Sequence, residues 1–404
     1  MQFSKNISAV KLSPIVKITE MVRERSGSYK QETGEDFVFF QRGEIGFKTP
    51  SYIVDAVTRA LEEEHTRYPK SGGEKILREA IARKLERLNG ASGLGPENVL
   101  VTYGGTEALQ ITFKLFEGKK GAGFGPCWTS ILLNIAPIND IDFKLLPLNT
   151  DFSINWVELE NTLKEVDFFY LNNPQNPTGK VFSKAEVLRI SEMCEVHGCY
   201  LVSDEAYERI VYDGREHFSA ASIAKPHVIS CFTFSKAYAM TGWRIGYVVC
   251  HDPKTIAVAR LGEHSQTAGV VTFVQHAAAY ALDSVEEEQA AFWRMMKVYQ
   301  ERRNLIYDRL KHVPGLKLDK PEGAFYLFPD FSQLIPRGLP KEAHQKYIFE
   351  LLLAHGVAVV YGACFGDGFD NHVRISFSAT DMGQITAGTD RIQEAIHALR
   401  ERAA

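Results

Sequence analysis

The chain has 404 residues, 45% of them hydrophobic and 24% charged, with a formal net charge of −4. That length allows two domains and a sizeable core, and the balance excludes the strongly basic surface that nucleic acid or an anionic membrane demands. The six cysteines (127, 194, 199, 231, 250 and 364) form no CxxC pair and show no metal-ligand clustering. They read as small buried hydrophobes in a reducing compartment, and no metal site is expected.

At the N-terminus, "MQFSKNISAVKLSP" lacks the charged-then-apolar layout of a signal peptide, and no later apolar stretch reaches bilayer-spanning length. The expectation is a cytoplasmic protein. Residues 52–64 ("YIVDAVTRALEEE") and 74–88 ("EKILREAIARKLERL") have helical apolar spacing with charged outer faces. "ENVLVTYGG" is a strand running into a glycine pair, and "TEALQITFKLF" continues as a helix. Strand-like runs then alternate with helical ones: "KGAGFG", "DFKLLPL", "VDFFYL", the helix "SKAEVLRISEMCEVHG", "CYLVS", "HVISCFTF" and "RIGYVVC". Such alternation predicts a largely parallel sheet flanked by helices, an α/β architecture.

Near residue 285 the pattern changes. A long charged helix over 284–313 leads into a smaller α+β segment with strand-like pieces "GLKLD", "AFYLFPD", "VAVVYG" and "HVRISFS". The expected division is an N-terminal arm and part of a small domain (1–48), a large domain (49–290) and a small C-terminal domain (291–404).

Chemistry-bearing residues collect after the strands of the large sheet, where open α/β sheets bind ligands. Gly104, Gly105 and Thr106 stand where a strand turns into a helix, a place suited to an anion. Asn176 lies in the proline-rigidified turn "NNPQNPTGK" (172–180) after "VDFFYL". Asp204 and Tyr207 follow "CYLVS"; Ser235 and Lys236 follow "HVISCFTF", with Arg244 eight residues on. Each alone is explained by a turn, a cap or a surface ion pair. Together they form an anion nest, hydrogen-bond donors for a phenolic oxygen, a carboxylate for a pyridine nitrogen and a lysine for an aldehyde. That set describes pyridoxal 5′-phosphate.

The sequence resembles the class I/II aminotransferases among the fold-type I pyridoxal-phosphate enzymes. The matching pieces are "RYPKSGGEKILREAIA", "VTYGGTEAL", "NNPQNPTG", "SDEAY", "TFSKAYAMTGWRIGY", "PEGAFYLFP" and "VRISFS", in order across roughly residues 40–390. The resemblance implies a large domain with a mostly parallel seven-stranded sheet plus a smaller α+β domain. It also implies transfer of an amino group from an L-amino acid to a 2-oxo acid through a Lys236 Schiff base and a pyridoxamine phosphate intermediate.

Residue by residue, Lys236 aligns with the lysine that forms the internal aldimine and shuttles a proton between Cα and C4′. Asp204 aligns with the carboxylate facing the pyridine nitrogen, and Tyr207 and Asn176 with the pair that bonds the ring oxygen. Gly104, Gly105, Thr106, Thr233, Ser235 and Arg244 fall in the phosphate-binding region, Arg244 as a bidentate fork. Trp128 aligns with the aromatic stacked on the ring. Tyr68 aligns with the residue that reaches the phosphate of a neighbouring subunit, which implies a homodimer with shared active sites. Arg374 aligns with the clamp for the substrate α-carboxylate, which Asn176 also touches and the backbone of Gly43 approaches.

The match also departs from the family. "GEIGF" (43–47) replaces the usual G-E-P-D-F, and Tyr361 replaces a common Pro. Thr106 stands where some aspartate aminotransferases carry a Lys for the distal carboxylate, and "SQTAGVV" (265–271) lacks the Arg that others donate across the dimer. Arg42 and Lys17 are the candidate substitutes, though the ordinary reading of each is solvent-facing or structural. The same apparatus serves a lyase, cyclase or oxidase acting on an amino acid, which is the alternative activity. A cofactor-sensing transcriptional regulator is disfavoured, because residues 1–42 hold no helix-turn-helix pattern and no basic patch.

Overall fold

The computed structural model describes residues 4–403. Its strands are β1 (Val38–Phe39), β2 (Val99–Thr102), β3 (Lys120–Gly125), β4 (Asp142–Pro147), β5 (Phe168–Asn172) and β6 (Tyr200–Asp204). There follow β7 (Val228–Thr233), β8 (Gly246–Cys250), β9 (Tyr326–Leu327), β10 (Val357–Ala358), β11 (Val360–Tyr361) and β12 (Val373–Ser376).

Seven of these form one sheet in the order β2-β8-β7-β6-β5-β3-β4. Strand β8 runs antiparallel to both neighbours, and the other six strands run parallel to one another. The central strands are buried almost throughout because helices cover both faces; every residue of β5 and β8 is buried. One face packs Ile111, Phe113, Ile131 and Ile135 against Phe168 and Tyr170. The opposite face packs Leu159, Leu163, Val187 and Ile190 against Phe169 and Leu201. The covering helix Lys184–Val196 starts at a capping box, in which Ser183 and Glu186 each bond the other's backbone N–H.

This topology brings the carboxyl ends of β2, β3, β5, β6 and β7 to one edge. Because β8 is antiparallel, its amino end, preceded by Arg244, lies at that same edge, with Gly246 paired to Thr102 and Thr233.

A 26-residue helix, Val285–Leu310, follows the large sheet. Beyond it β11, β12 and β9 form an antiparallel sheet, and β10 pairs in parallel with β1 through Val38–Val357 and Phe39–Ala358. Ile18, Val22, Val38 and Phe40 accordingly share a core with Ile306, Leu352, Ile375 and Ile392. The segment "GLKLD" is not a strand. Only Lys317 forms a bridge to another segment, exchanging N–H···O bonds with Asp330 at 3.0 and 2.9 Å, so no ladder extends from it. Among the described residues, no helix is long and apolar enough to cross a membrane.

Candidate active site

A cavity of about 450 Å³ opens at the sheet edge where these strands end. Of the residues singled out in the sequence, Gly43, Gly105, Thr106, Trp128, Asn176, Asp204, Tyr207, Thr233, Ser235, Lys236, Arg244 and Arg374 border it. Gly104 lies just behind, left-handed at φ +78 and opening the helix Gly104–Lys114. A Cβ on it would come within 3.0 Å of the Arg244 guanidinium. Tyr68 is not brought to this cavity; it is 96% exposed and faces solvent beside Pro69 and Phe273.

The turn carrying Asn176 is wired internally. Asn172 donates through Nδ2 to the Asp204 carbonyl (3.1 Å), and its Oδ1 accepts from the Asn176 N–H (2.7 Å). Gln175 donates to the Pro126 carbonyl at 3.1 Å, and Asn173 accepts from the Phe182 N–H at 3.0 Å. Few degrees of freedom remain, and Asn176 is buried in a fixed position.

At the end of β6, Asp204 is buried. Its carboxylate accepts from the Tyr170 hydroxyl (2.7 Å) and the Ala206 N–H (3.2 Å). Burial pushes its pKa up to about 6 despite those two donors. Lys236 opens onto the cavity and donates to the Gly43 carbonyl at 3.0 Å. Protein surrounds the amine closely enough that desolvation, followed by the Arg374 charge, lowers its pKa to about 8.

Arg374, on β12, is buried. It donates to Asn176 Oδ1 at 3.2 Å and to the Gln41 carbonyl at 3.0 Å, and its Nε has no partner among the described residues. Arg244 meets only carbonyls, those of Thr241 (3.0 Å) and Tyr103 (3.5 Å), beside the N-terminus of the 104–114 helix. Thr233 donates to Ser235 Oγ at 2.9 Å. An uncompensated guanidinium, small hydroxyls and a helix N-terminus make a receptor for an anion.

The departures from the family motif sort differently. Gly46 lies so close to the chain at 378–379 that a Cβ would stand 2.8 Å from the Ser378 carbonyl oxygen, so the Asp expected there does not fit this loop. Tyr361 does not border the cavity and packs edge-on against Phe349. Arg42, expected in solvent or in a structural role, is exposed yet borders the cavity with Glu44, whereas Lys17 is exposed and stays outside it.

Sequence reasoning missed several contributors: Tyr170, Tyr326, Ile15, Leu109 and Glu44. For the two tyrosines a signal existed, since a buried tyrosine hydroxyl requires a partner. "VDFFYL" and "AFYLFP" each place one inside an apolar run.

The model for the family "Aminotransferase class I and II" matches residues 36–392. The chain is 33% identical to the probable aspartate/prephenate aminotransferase of Aquifex aeolicus, covering 97% of this chain and 98% of the relative. It is 31% identical to the aspartate aminotransferase of Geobacillus stearothermophilus, with 98% and 100% covered. The solved Thermus thermophilus aspartate aminotransferase with maleate superposes with a TM-score of 0.88 at 31% identity, over 98% of this chain and 100% of that one. The aromatic aminotransferase of Pyrococcus horikoshii superposes with a TM-score of 0.83 at 32% identity, over 93% and 99%. With its strand order, its cavity and these likenesses in agreement, the chain belongs to the class I and II aminotransferases and is a fold-type I enzyme that transfers amino groups.

Proposed function

We propose that this cavity holds pyridoxal 5′-phosphate and exchanges the amino group of an L-amino acid with a 2-oxo acid. The reading rests on one observation: Lys236, Asp204 and Arg374, two of them buried and one poised near neutrality, border a single cavity of about 450 Å³.

The residues fit that cofactor on their own chemistry. Asp204, ionised against the pull of burial, calls for a cation opposite it, which a protonated pyridine nitrogen supplies. Arg244 with the 104–106 turn, Thr233 and Ser235 offers donors suited to a phosphate. Asn176 spends its carbonyl oxygen on Arg374, which leaves its amide as a donor, and Tyr207 adds a hydroxyl. Trp128 supplies an aromatic face.

When bound, the cofactor supplies an aldehyde carbon to carry the amino group and a ring that draws electrons from the substrate Cα. Arg374 binds the α-carboxylate through a planar fork and thereby orients the Cα–H bond. The Lys236 amine, neutral in a large fraction of molecules near pH 8, takes and returns the proton at Cα. Asp204 keeps a positive charge opposite it in place.

Relatives named for aspartate and prephenate favour a substrate with a second carboxylate, a neighbour named an aromatic aminotransferase favours an aromatic one, and Arg42 at the cavity rim is the cation available to a distal carboxylate. We further infer a cytoplasmic homodimer, in which the exposed Tyr68 reaches the partner's phosphate site. The Val38–Val357 pairing supports treating residues 1–48 with 291–404 as one unit beside 49–290.

The test is a panel of L-amino acids assayed with 2-oxoglutarate, each 2-oxo and amino product quantified. Equal yields of the two products support the reading. Loss of donor with no gain of glutamate contradicts it.

A further inference from the structure

The Tyr326 hydroxyl lies 2.8 Å from that of Tyr207, and both side chains are buried. The ring of Tyr326 also faces the Arg374 guanidinium, whose Cζ stands 4.5 Å from its centroid, with Phe365 at 5.3 Å. Its hydroxyl further abuts Gly43, where a Cβ would come within 2.7 Å of it. One side chain therefore touches a neighbour of the cofactor site, the carboxylate clamp and the loop whose carbonyl holds Lys236.

A tyrosine hydroxyl has a single proton. Tyr207 has no hydroxyl partner other than Tyr326 among the described residues. If Tyr207 gives its proton to the cofactor's ring oxygen, the 2.8 Å contact persists only with Tyr326 as donor. A donor into the Tyr207 oxygen polarises its O–H and strengthens the outgoing bond. Meanwhile the two Nη groups of Arg374 are tied to Asn176 and Gln41, and the Tyr326 ring fixes the plane of the fork.

We propose that Tyr326 is a positioning residue with two separable actions: its hydroxyl directs the Tyr207 proton toward the cofactor, and its ring holds Arg374 in place for the substrate carboxylate. The inference rests on the cofactor reading above. The charged groups acting on the pair are Arg374 and Asp204, with the Lys236 amine 5.8 Å from the centre of the Tyr207 ring.

The experiment loads the protein with pyridoxal 5′-phosphate and follows the pH midpoint of its visible absorption band, alongside KM for the best amino donor. The proteins compared are wild type, Tyr326→Phe, Tyr326→Leu, Tyr207→Phe and the Tyr207→Phe/Tyr326→Phe double variant. Tyr326→Phe is expected to raise the midpoint by roughly half to one pH unit while KM stays within about twofold. Tyr326→Leu is expected to raise the midpoint similarly and KM by about tenfold or more. In the Tyr207→Phe background, Tyr326→Phe should move the midpoint no further. An unchanged midpoint in Tyr326→Phe, or the same shift with and without Tyr207, overturns the proposal even if both variants lose thermal stability. Failure of the wild type to acquire a visible band overturns the cofactor reading, and this inference with it.

Discussion

Arg374 and Asn176 are 198 positions apart in sequence, yet the arginine donates to the asparagine's Oδ1 at 3.2 Å inside the core of the site. That bond fixes two things together: the plane of the guanidinium and the direction in which the Asn176 amide points. Substrate carboxylate and cofactor are thus gripped by one connected unit.

Arg374→Ala is therefore expected to raise KM for every amino acid substrate. Removing one partner of a buried charge-assisted contact costs about 2–5 kcal/mol, or roughly 30-fold to a few thousand-fold. Steady-state kinetics over several donors checks this, and an effect confined to one donor would mean that Arg374 reads a side chain instead.

Lys236 makes a pH prediction. Desolvation and the Arg374 charge disfavour its protonated form, so the amine loses its proton near pH 8 rather than above 10. Only the neutral amine attacks an aldehyde, so the rate of cofactor uptake by the apoprotein should rise with pH and level off above about 8. At pH 7, one unit below that midpoint, roughly a tenth of the molecules are reactive. Arg374→Ala removes a lowering charge and should move the midpoint upward, while Lys236→Ala should abolish both turnover and the absorbance band. Stopped-flow absorbance measures all three.

Tyr170 donates to Asp204 at 2.7 Å and stabilises its ionised form. Tyr170→Phe should let the Asp204 pKa rise above about 6. The acid limb of kcat should then shift to higher pH, with kcat falling about 10- to 100-fold for a lost bond to a charged group. An unchanged pH profile would show that Tyr170 only packs.

Away from the cavity, Lys84 and Glu208 form a buried ion pair, with Asn89 also donating to Glu208 at 2.6 Å. Lys84→Met leaves the carboxylate without its counter-charge and should cost about 3–5 kcal/mol of stability. Lys84→Met/Glu208→Leu should recover much of that loss. Denaturant titration distinguishes them, and equal losses would mean that packing rather than charge sets the cost.

The strands of the seven-stranded sheet were legible because helices cover both faces, so buried runs such as "FFYL" and "GYVVC" stay apolar throughout. The site was legible because this topology gathers strand ends, and Asp204, Lys236 and Asn176 follow their strands directly. Tyr326 and Tyr170 were not, because their roles depend on Tyr207 and Asp204, which only the tertiary fold brings within 2.8 and 2.7 Å. "GLKLD" misled because its alternation is that of a strand, but only one residue of it finds a ladder partner. Arg42 reads in sequence as an ordinary surface cation, and its place at the cavity rim follows from the course of the 42–46 loop.

The central claim is tested most directly by mixing the cofactor-loaded protein with its fastest amino donor, with no acceptor present, while following absorbance and free ammonia. The account predicts conversion of the visible band once, in proportion to the enzyme, with one equivalent of 2-oxo acid and no ammonia. A band that persists or returns while ammonia accumulates over many turnovers would contradict it, and would assign the site to elimination or oxidation.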